Sequence, residues 1–237
     1  RFPIRFTLEE HKSAMRNKNL IYFLLVLVLV FPLAIPFAPA AAQGDPVLDR
    51  IAEYNANLPA GYGNVSVNDL GIEMIEKPDM VLLDVRQPEE YAEGHIPGTF
   101  NVPIRELGQN LAMLPDLDAE IITICGSGFR SAIAMTSLQI LGYTNVRNMA
   151  GGMKAWNAEE YAVTTDALMV EATEAPEINA ELVAAVDAQL AALPAGYGGV
   201  KADDLNVELI ENPPALLIDV RKDAEWEAGY IVGAVHM

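Results

Sequence analysis

Residues Ile121 to Met135, IITICGSGFRSAIAM, hold the one cysteine of the chain. Cys125 closes an apolar, β-branched run and opens a short loop with two glycines, Gly126 and Gly128. Good helix formers follow from Arg130. A strand–loop–helix order gathers backbone N–H groups and a helix N-terminus around the first loop residue. Such a place favours an anionic sulfur and holds a bound anion. An activated thiol of this kind is a nucleophile that forms covalent intermediates. With no second cysteine, no disulfide can consume it, so this loop is the candidate site of chemistry.

The elements that must position the loop alternate along the chain. An amphipathic helix is expected over Val47–Asn57, ended by the turn LPAGYG, where Pro and Gly block continuation. Helices are expected at Val67–Glu76, Pro88–Glu93, Ile104–Met113, Arg130–Leu141 and Met153–Glu159. Strands are expected at Met80–Val85, which is apolar, and at Thr99–Val102, Ile121–Cys125 and Val146–Met149. Continuous apolar strands alternating with helices imply an α/β fold with a mostly parallel sheet flanked by helices on both faces. Thr164–Pro176 reads as an acidic, small-residue linker.

The turn recurs. LPAGYG stands at Leu58–Gly63 and again at Leu193–Gly198, and the register then holds without a gap. Leu82-Leu83-Asp84-Val85-Arg86 matches Leu217-Ile218-Asp219-Val220-Arg221, and Gly94-His95-Ile96 matches Gly229-Tyr230-Ile231. The match runs to Met237, so the sequence holds one full unit and the first part of a second. The second unit's own amphipathic helix is expected over Ile178–Ala192. The counterpart of the cysteine strand is absent from the second unit, so residues 200–237 are expected to pack poorly or to borrow a sheet edge.

Composition narrows the partners. The 237 residues carry a net charge of -18, and half are hydrophobic, enough for a packed core. A strongly acidic surface repels nucleic acid and anionic lipid heads. The three histidines, His11, His95 and His236, are scattered, and no Cys/His group has metal-ligand spacing. Near the N-terminus, Met15 is followed by Arg16 and Lys18, an apolar run from Leu20 to Phe31, and small residues ending at Ala42. That order is a secretory signal with cleavage expected after Ala42, and a retained membrane anchor is the alternative. Residues 1–14 precede the apparent start and read as a spurious extension. Loss of residues 1–42 removes five Lys/Arg and two Asp/Glu and leaves a net charge of -21. The expected organisation is therefore 15–42 signal, 43–63 leading helix and turn, 64–160 a complete unit, 161–177 linker, and 178–237 the start of a second unit. Export to the periplasm or the exterior follows, with membrane contact only through an uncleaved signal.

Three motifs in order, LLDVRQPEEYAEGHIPGTFNVPI, CGSGFRS and NMAGGMKAW, resemble the rhodanese family of sulfurtransferases over about Val65–Ala158, with the start of a second copy from about Val200. The resemblance implies a rhodanese-like α/β fold and a persulfide on the loop cysteine. Carried over by position, Cys125 is the sulfur carrier, Gly126, Ser127, Gly128, Phe129 and Arg130 form the substrate loop, and Ser131 starts the helix. It implies a small anionic sulfur donor such as thiosulfate, an acceptor thiol or cyanide, and no cofactor. Cysteine-dependent phosphatases space Cys and Arg one residue further apart; the four residues between Cys125 and Arg130 make a tighter cradle that suits one sulfur atom. A non-catalytic sulfide- or persulfide-binding module is the other reading. CGSG is also similar to the loop start of mercaptopyruvate sulfurtransferases, which lack an arginine at the Arg130 position. Arg130 is expected to supply positive charge for a small dianion.

Asp84 and Arg86 fall at the C-terminal end of a strand, where open α/β sheets carry their sites. They read as supporting residues, through a structural ion pair or loop-fixing hydrogen bonds. His95 becomes Tyr230 in the repeat, a swap that a catalytic base would not tolerate, so it reads as structural. Ser127 and Ser131 are candidate persulfide donors or simple helix caps. Phe129 either walls the pocket or shields the loop. Tyr143 and Trp156 read as core, and Gly151-Gly152 as a tight turn near the site.

Overall fold

The computed structural model describes residues 45–237 except Pro59, Pro213 and Ala215. The expected signal and the extension before it lie outside the described residues.

The first unit is built around five strands in the order β1-β5-β4-β2-β3, all parallel. They are β1 (Asn64–Val65), β2 (Val81–Asp84), β3 (Thr99–Asn101), β4 (Ile121–Ile124) and β5 (Val146–Met149). The α/β class expected from the alternating pattern is therefore present. β4 is central and buried along its whole length, with Ile121 paired to Val81 and to Val146. A strand covered on both faces has no polar side, which is why Ile-Ile-Thr-Ile shows no alternation. Its one polar side chain is satisfied: the Thr123 hydroxyl is 2.9 Å from the Ser131 carbonyl oxygen and 3.2 Å from that of Arg147.

Helices α1 (Pro46–Ala56), α2 (Val67–Glu76), α3 (Pro88–Glu93), α4 (Phe129–Leu141) and α5 (Gly152–Ala158) connect and cover these strands. Local chemistry sets their starts. Ser66 accepts from the Asp69 N–H at the head of α2, Asp45 accepts from Val47 N–H at the head of α1, and Gln87 and Glu90 form a capping box at α3. One sheet face packs on Val67, Leu70, Met153 and Trp156, and the other on Ile104, Leu107, Leu138 and Tyr143.

Three features depart from the sequence reading or go beyond it. The segment Ile104–Met113 forms two short 3-10 helices, Ile104–Gln109 and Leu111–Met113, rather than one α-helix. Gly108 sits where a Cβ would lie 2.7 Å from that of Asp187, so close packing decides this segment instead of helix propensity. β1 has only two residues, too few to show a period, and exists because it pairs with β5. The linker is held against the domain rather than loose. Thr164 and His95 exchange backbone hydrogen bonds, and Thr173 N–H donates to Ala112.

The second unit begins with α6 (Ala180–Ala191), capped by Asn179. Leu182, Val186 and Leu190 of α6 are buried in the first unit's core. Each such burial is worth about 1.5–3 kcal/mol. The second LPAGYG turn, α7 (Ala202–Glu211), β6 (Leu217–Asp219), α8 (Asp223–Glu227) and β7 (Ala234–His236) follow. β6 and β7 pair in parallel with each other, in the register that β2 and β3 use, and do not join an edge of the first sheet. No described residue from 200 to 237 is buried.

Candidate active site

Cys125 follows β4 and its side chain has no exposed surface. Two donors reach its sulfur: the Gly128 N–H at 3.2 Å and the Ser131 hydroxyl at 3.3 Å. The loop therefore brings one amide and one hydroxyl to Sγ, where a wider convergence of amides was expected. The cause is local. Gly128, in the left-handed region at φ 89°, is the N-cap of α4, and the helix starts at Phe129. Ser131 thus stands in the first turn and not at the cap, and its hydroxyl is free to turn toward the sulfur.

Ser131 Oγ also lies 2.6 Å from Oδ1 of Asn148, whose Nδ2 donates to Asn64 Oδ1 at 2.7 Å. Asn64 Nδ2 in turn donates to the Gly61 carbonyl of the first LPAGYG turn. Ser131 has one hydroxyl proton, so it cannot serve the sulfur and Asn148 together. With a neutral thiol, S–H faces Oγ and the hydroxyl donates to Asn148. With a sulfur anion, the hydroxyl must donate to Sγ.

The loop itself is clamped from below by α5. Met153 N–H donates to the Cys125 carbonyl at 2.8 Å and Lys154 N–H to that of Gly126 at 2.9 Å. Gly152, at φ +57°, admits this approach: a Cβ there would fall 2.3 Å from the Cys125 oxygen and 2.6 Å from Ser127 N. Ser127 and Phe129 are exposed, and the Ser127 hydroxyl makes no hydrogen bond among the described residues.

Arg130 is engaged. Nη1 and Nη2 meet the two oxygens of Glu90 at 2.6 and 2.7 Å. This hydrogen-bonded pairing with Arg130 holds the Glu90 carboxyl below its usual range and raises Arg130 further above its own. The free positive charge expected at Arg130 is thus offset by a carboxylate from α3. Glu90, Asn148 and Asn64 all escaped the sequence reading. Glu90 lies in the EEY of the first motif, among surface-type acids, and nothing in its spacing marks a partner 40 residues on. Asn148 sits one residue before Met149, at the start of the third motif as quoted, and was the available signal.

Asp84 and Arg86 form a buried ion pair, 2.7 Å between Oδ2 and Nη2, and the guanidinium also donates to the carbonyls of Glu90 and Gly94. Asp219, Arg221 and Gly229 repeat this arrangement in the second unit. Neither Asp84 nor Arg86 touches the sulfur; through Glu90 they fix the segment that holds Arg130. His95 stacks on Tyr91 with centroids 3.6 Å apart, and its counterpart Tyr230 stacks on Trp226 at 3.8 Å. The position is one where a flat ring stacks, in either identity.

A parallel sheet of order β1-β5-β4-β2-β3 whose central strand ends in a single buried cysteine, cradled by a short loop and the head of the next helix, defines an α/β protein with a thiol-centred site. The chain belongs to the family of the rhodanese-like domain, which matches residues 52–159 and 202–237. Among curated relatives, a putative sulfur carrier protein of Bacillus subtilis (strain 168) is 38% identical over 112 residues, 47% of this chain and 60% of that protein. Less than two thirds of that relative is therefore spanned. A thiosulfate sulfurtransferase of Escherichia coli (strain K12) is 38% identical over 73 residues, 30% of this chain and 69% of the relative. The human thiosulfate:glutathione sulfurtransferase is 36% identical over 114 residues, 43% of this chain and 98% of the relative.

Proposed function

We propose that the protein is a sulfurtransferase that carries sulfane sulfur on Cys125. The observation that carries this reading is the pair of donors on Sγ, Gly128 N–H and Ser131 Oγ–H, in a loop clamped by α5. The Gly128 N–H is fixed before reaction and stabilises charge on sulfur without reorganising, and the Ser131 hydroxyl joins it by turning from Asn148. Relatives named as thiosulfate sulfurtransferases support the same chemistry.

In the first step the Cys125 thiolate attacks the outer sulfur of an anionic donor such as thiosulfate. A bond forms between Sγ and that sulfur, the donor's S–S bond breaks, and sulfite leaves with the electron pair. In the second step an acceptor thiolate or cyanide attacks the outer sulfur of the persulfide, and Sγ departs as thiolate. Gly126, Ser127, Gly128, Phe129, Arg130 and Ser131 form the rim of the site, with Arg130 sharing its charge with Glu90.

The test is intact mass after treatment with thiosulfate. A gain of one sulfur atom, lost on addition of cyanide, is expected; Cys125→Ser gains nothing. Loading of the serine variant would overturn the assignment. A competing reading, a module that holds sulfide or persulfide without turnover, draws on the absence of exposed surface at Cys125. Repeated turnover with thiosulfate and cyanide separates the two, and parallel rates with mercaptopyruvate identify the preferred donor. We further propose that the protein is exported, on the order of charged, apolar and small residues over 15–42. Recovery outside the cytoplasm with Gln43 as first residue is expected, and retention inside the cell counts against it.

A further inference from the structure

The second LPAGYG turn lies on the candidate site of the first unit. Arg105 Nη2 donates to the carbonyls of Leu193 and Pro194 at 2.7 and 3.0 Å, which fixes the entry of the turn. Tyr197 then adopts φ 60°, a left-handed conformation costly for a bulky residue. Its ring lies against two guanidinium groups, with the centroid 4.8 Å from Cζ of Arg105 and 5.2 Å from Cζ of Arg130. Its hydroxyl accepts from Gln87 Nε2 at 3.2 Å. Gly199 follows, where a Cβ would sit 3.7 Å from Phe129 Cε1 of the loop. The first copy of the turn has the same backbone, with Tyr62 at φ 55°, yet Tyr62 is 57% exposed. One conformation written twice thus has two fates, and only the second copy meets a loop.

We infer that Tyr197, supplied by the second unit, is the specificity-determining residue of the Cys125 site: its ring covers Arg130 and the side of Arg105, and decides which sulfur donors reach the thiol. Among the described residues Arg105 makes no ion pair, whereas Arg130 is neutralised by Glu90. An anionic donor that displaces the ring finds Arg105 as uncompensated charge. A bulky neutral donor gains nothing to offset the displaced cation–π contacts. α6, held by three buried side chains, anchors the turn at one end, so opening needs only residues 193–199 to move. This inference rests on the sulfur-carrier reading for its substrates and on geometry alone for the covering.

The test therefore begins with thiol accessibility. Two cation–π contacts and one hydrogen bond shift an open–closed balance by about ten- to a hundredfold. Tyr197→Ala is expected to alkylate with iodoacetamide at Cys125 faster by that factor. Tyr197→Phe, which keeps the ring, should stay within about threefold of the parent, since one neutral hydrogen bond is lost. Tyr62→Ala, the same change in the other copy, should leave the rate unaltered and excludes a general effect of the turn. In Tyr197→Ala the ratio of kcat/KM for thiosulfate to that for a bulky neutral donor, a diaryl trisulfide, should fall. Equal alkylation rates in Tyr197→Ala and the parent would overturn the covering role, even if thiosulfate still loads sulfur. An unchanged ratio would overturn the specificity role. Faster alkylation without any loading would instead overturn the sulfur-carrier reading and leave the covering intact.

Discussion

Replacing Ser131 by alanine separates the two tasks its hydroxyl performs. In the site, Oγ is one of two groups within donor reach of Cys125 Sγ and is 2.6 Å from the side-chain Oδ1 of Asn148. A hydrogen bond to a charged group is worth about 1.5–3 kcal/mol, and a factor of ten in rate is about 1.4 kcal/mol. If the bond is made fully to the anionic sulfur, Ser131→Ala slows sulfur loading from thiosulfate by about 10- to 100-fold. The same change leaves Asn148 Oδ1 buried without a donor, at a cost of about 1–3 kcal/mol in stability. The second effect can be removed alone. In Ser131→Ala/Asn148→Leu both members of that contact are apolar, and Asn64, which loses its own partner, is exposed and turns to water. The double variant should recover most of the lost stability in urea unfolding while loading stays slow. Loading rates are read by intact mass over time at fixed thiosulfate. Loading of Ser131→Ala within twofold of the parent, or recovery of the rate together with stability in the double variant, would refute a role of the hydroxyl at sulfur.

Two further outcomes follow from the geometry. Gly152→Ala forces a Cβ to within 2.3 Å of the Cys125 oxygen at a positive φ; a loss of about 3 kcal/mol or more, or failure to fold, is expected in a denaturant titration. Glu73 pairs with Arg147 and Lys77, and these hydrogen bonds, Arg147's first, hold its carboxyl down at about 2 against an ordinary 4.5. A depressed folded value means that the stabilisation is complete above pH 4.5 and is lost as pH falls through 2. The group is near the surface, so Glu73→Gln should cost only about 1 kcal/mol at pH 7. It should also flatten the acid limb of the stability curve between those values, and an unchanged limb would exclude the pair as its source.

How far the sequence revealed this molecule differs by element. β2 and β4 were visible as apolar runs because buried parallel strands have no polar face, and α2 and α3 as short helical segments whose starts are set by neighbours in sequence. β1 was not, since two residues carry no period and only the partner strand makes them a strand. The segment Ile104–Met113 has helical composition but ends in 3-10 turns because α6 presses on Gly108 from a distant part of the chain. At the site, Cys125 and its loop were legible as a strand–loop–helix junction. Among the partners that give the loop its electrostatics, Asn148 stands in the third motif, whereas Glu90 and Tyr197 are brought in by topology and no local spacing announces them.

The seating of α6 separates the unit of repetition from the unit of packing. A cut in the linker, where the repeat pattern would divide the chain, strips Leu182, Val186 and Leu190 out of the first sheet's interior and unroofs Arg130. The smallest piece that keeps the thiol's surroundings whole runs from the first helix through Gly199, across the border of the duplication. A duplicated segment has here become a wall of its neighbour's room, so neither copy can be exchanged, shortened or reshuffled without altering what the other one does.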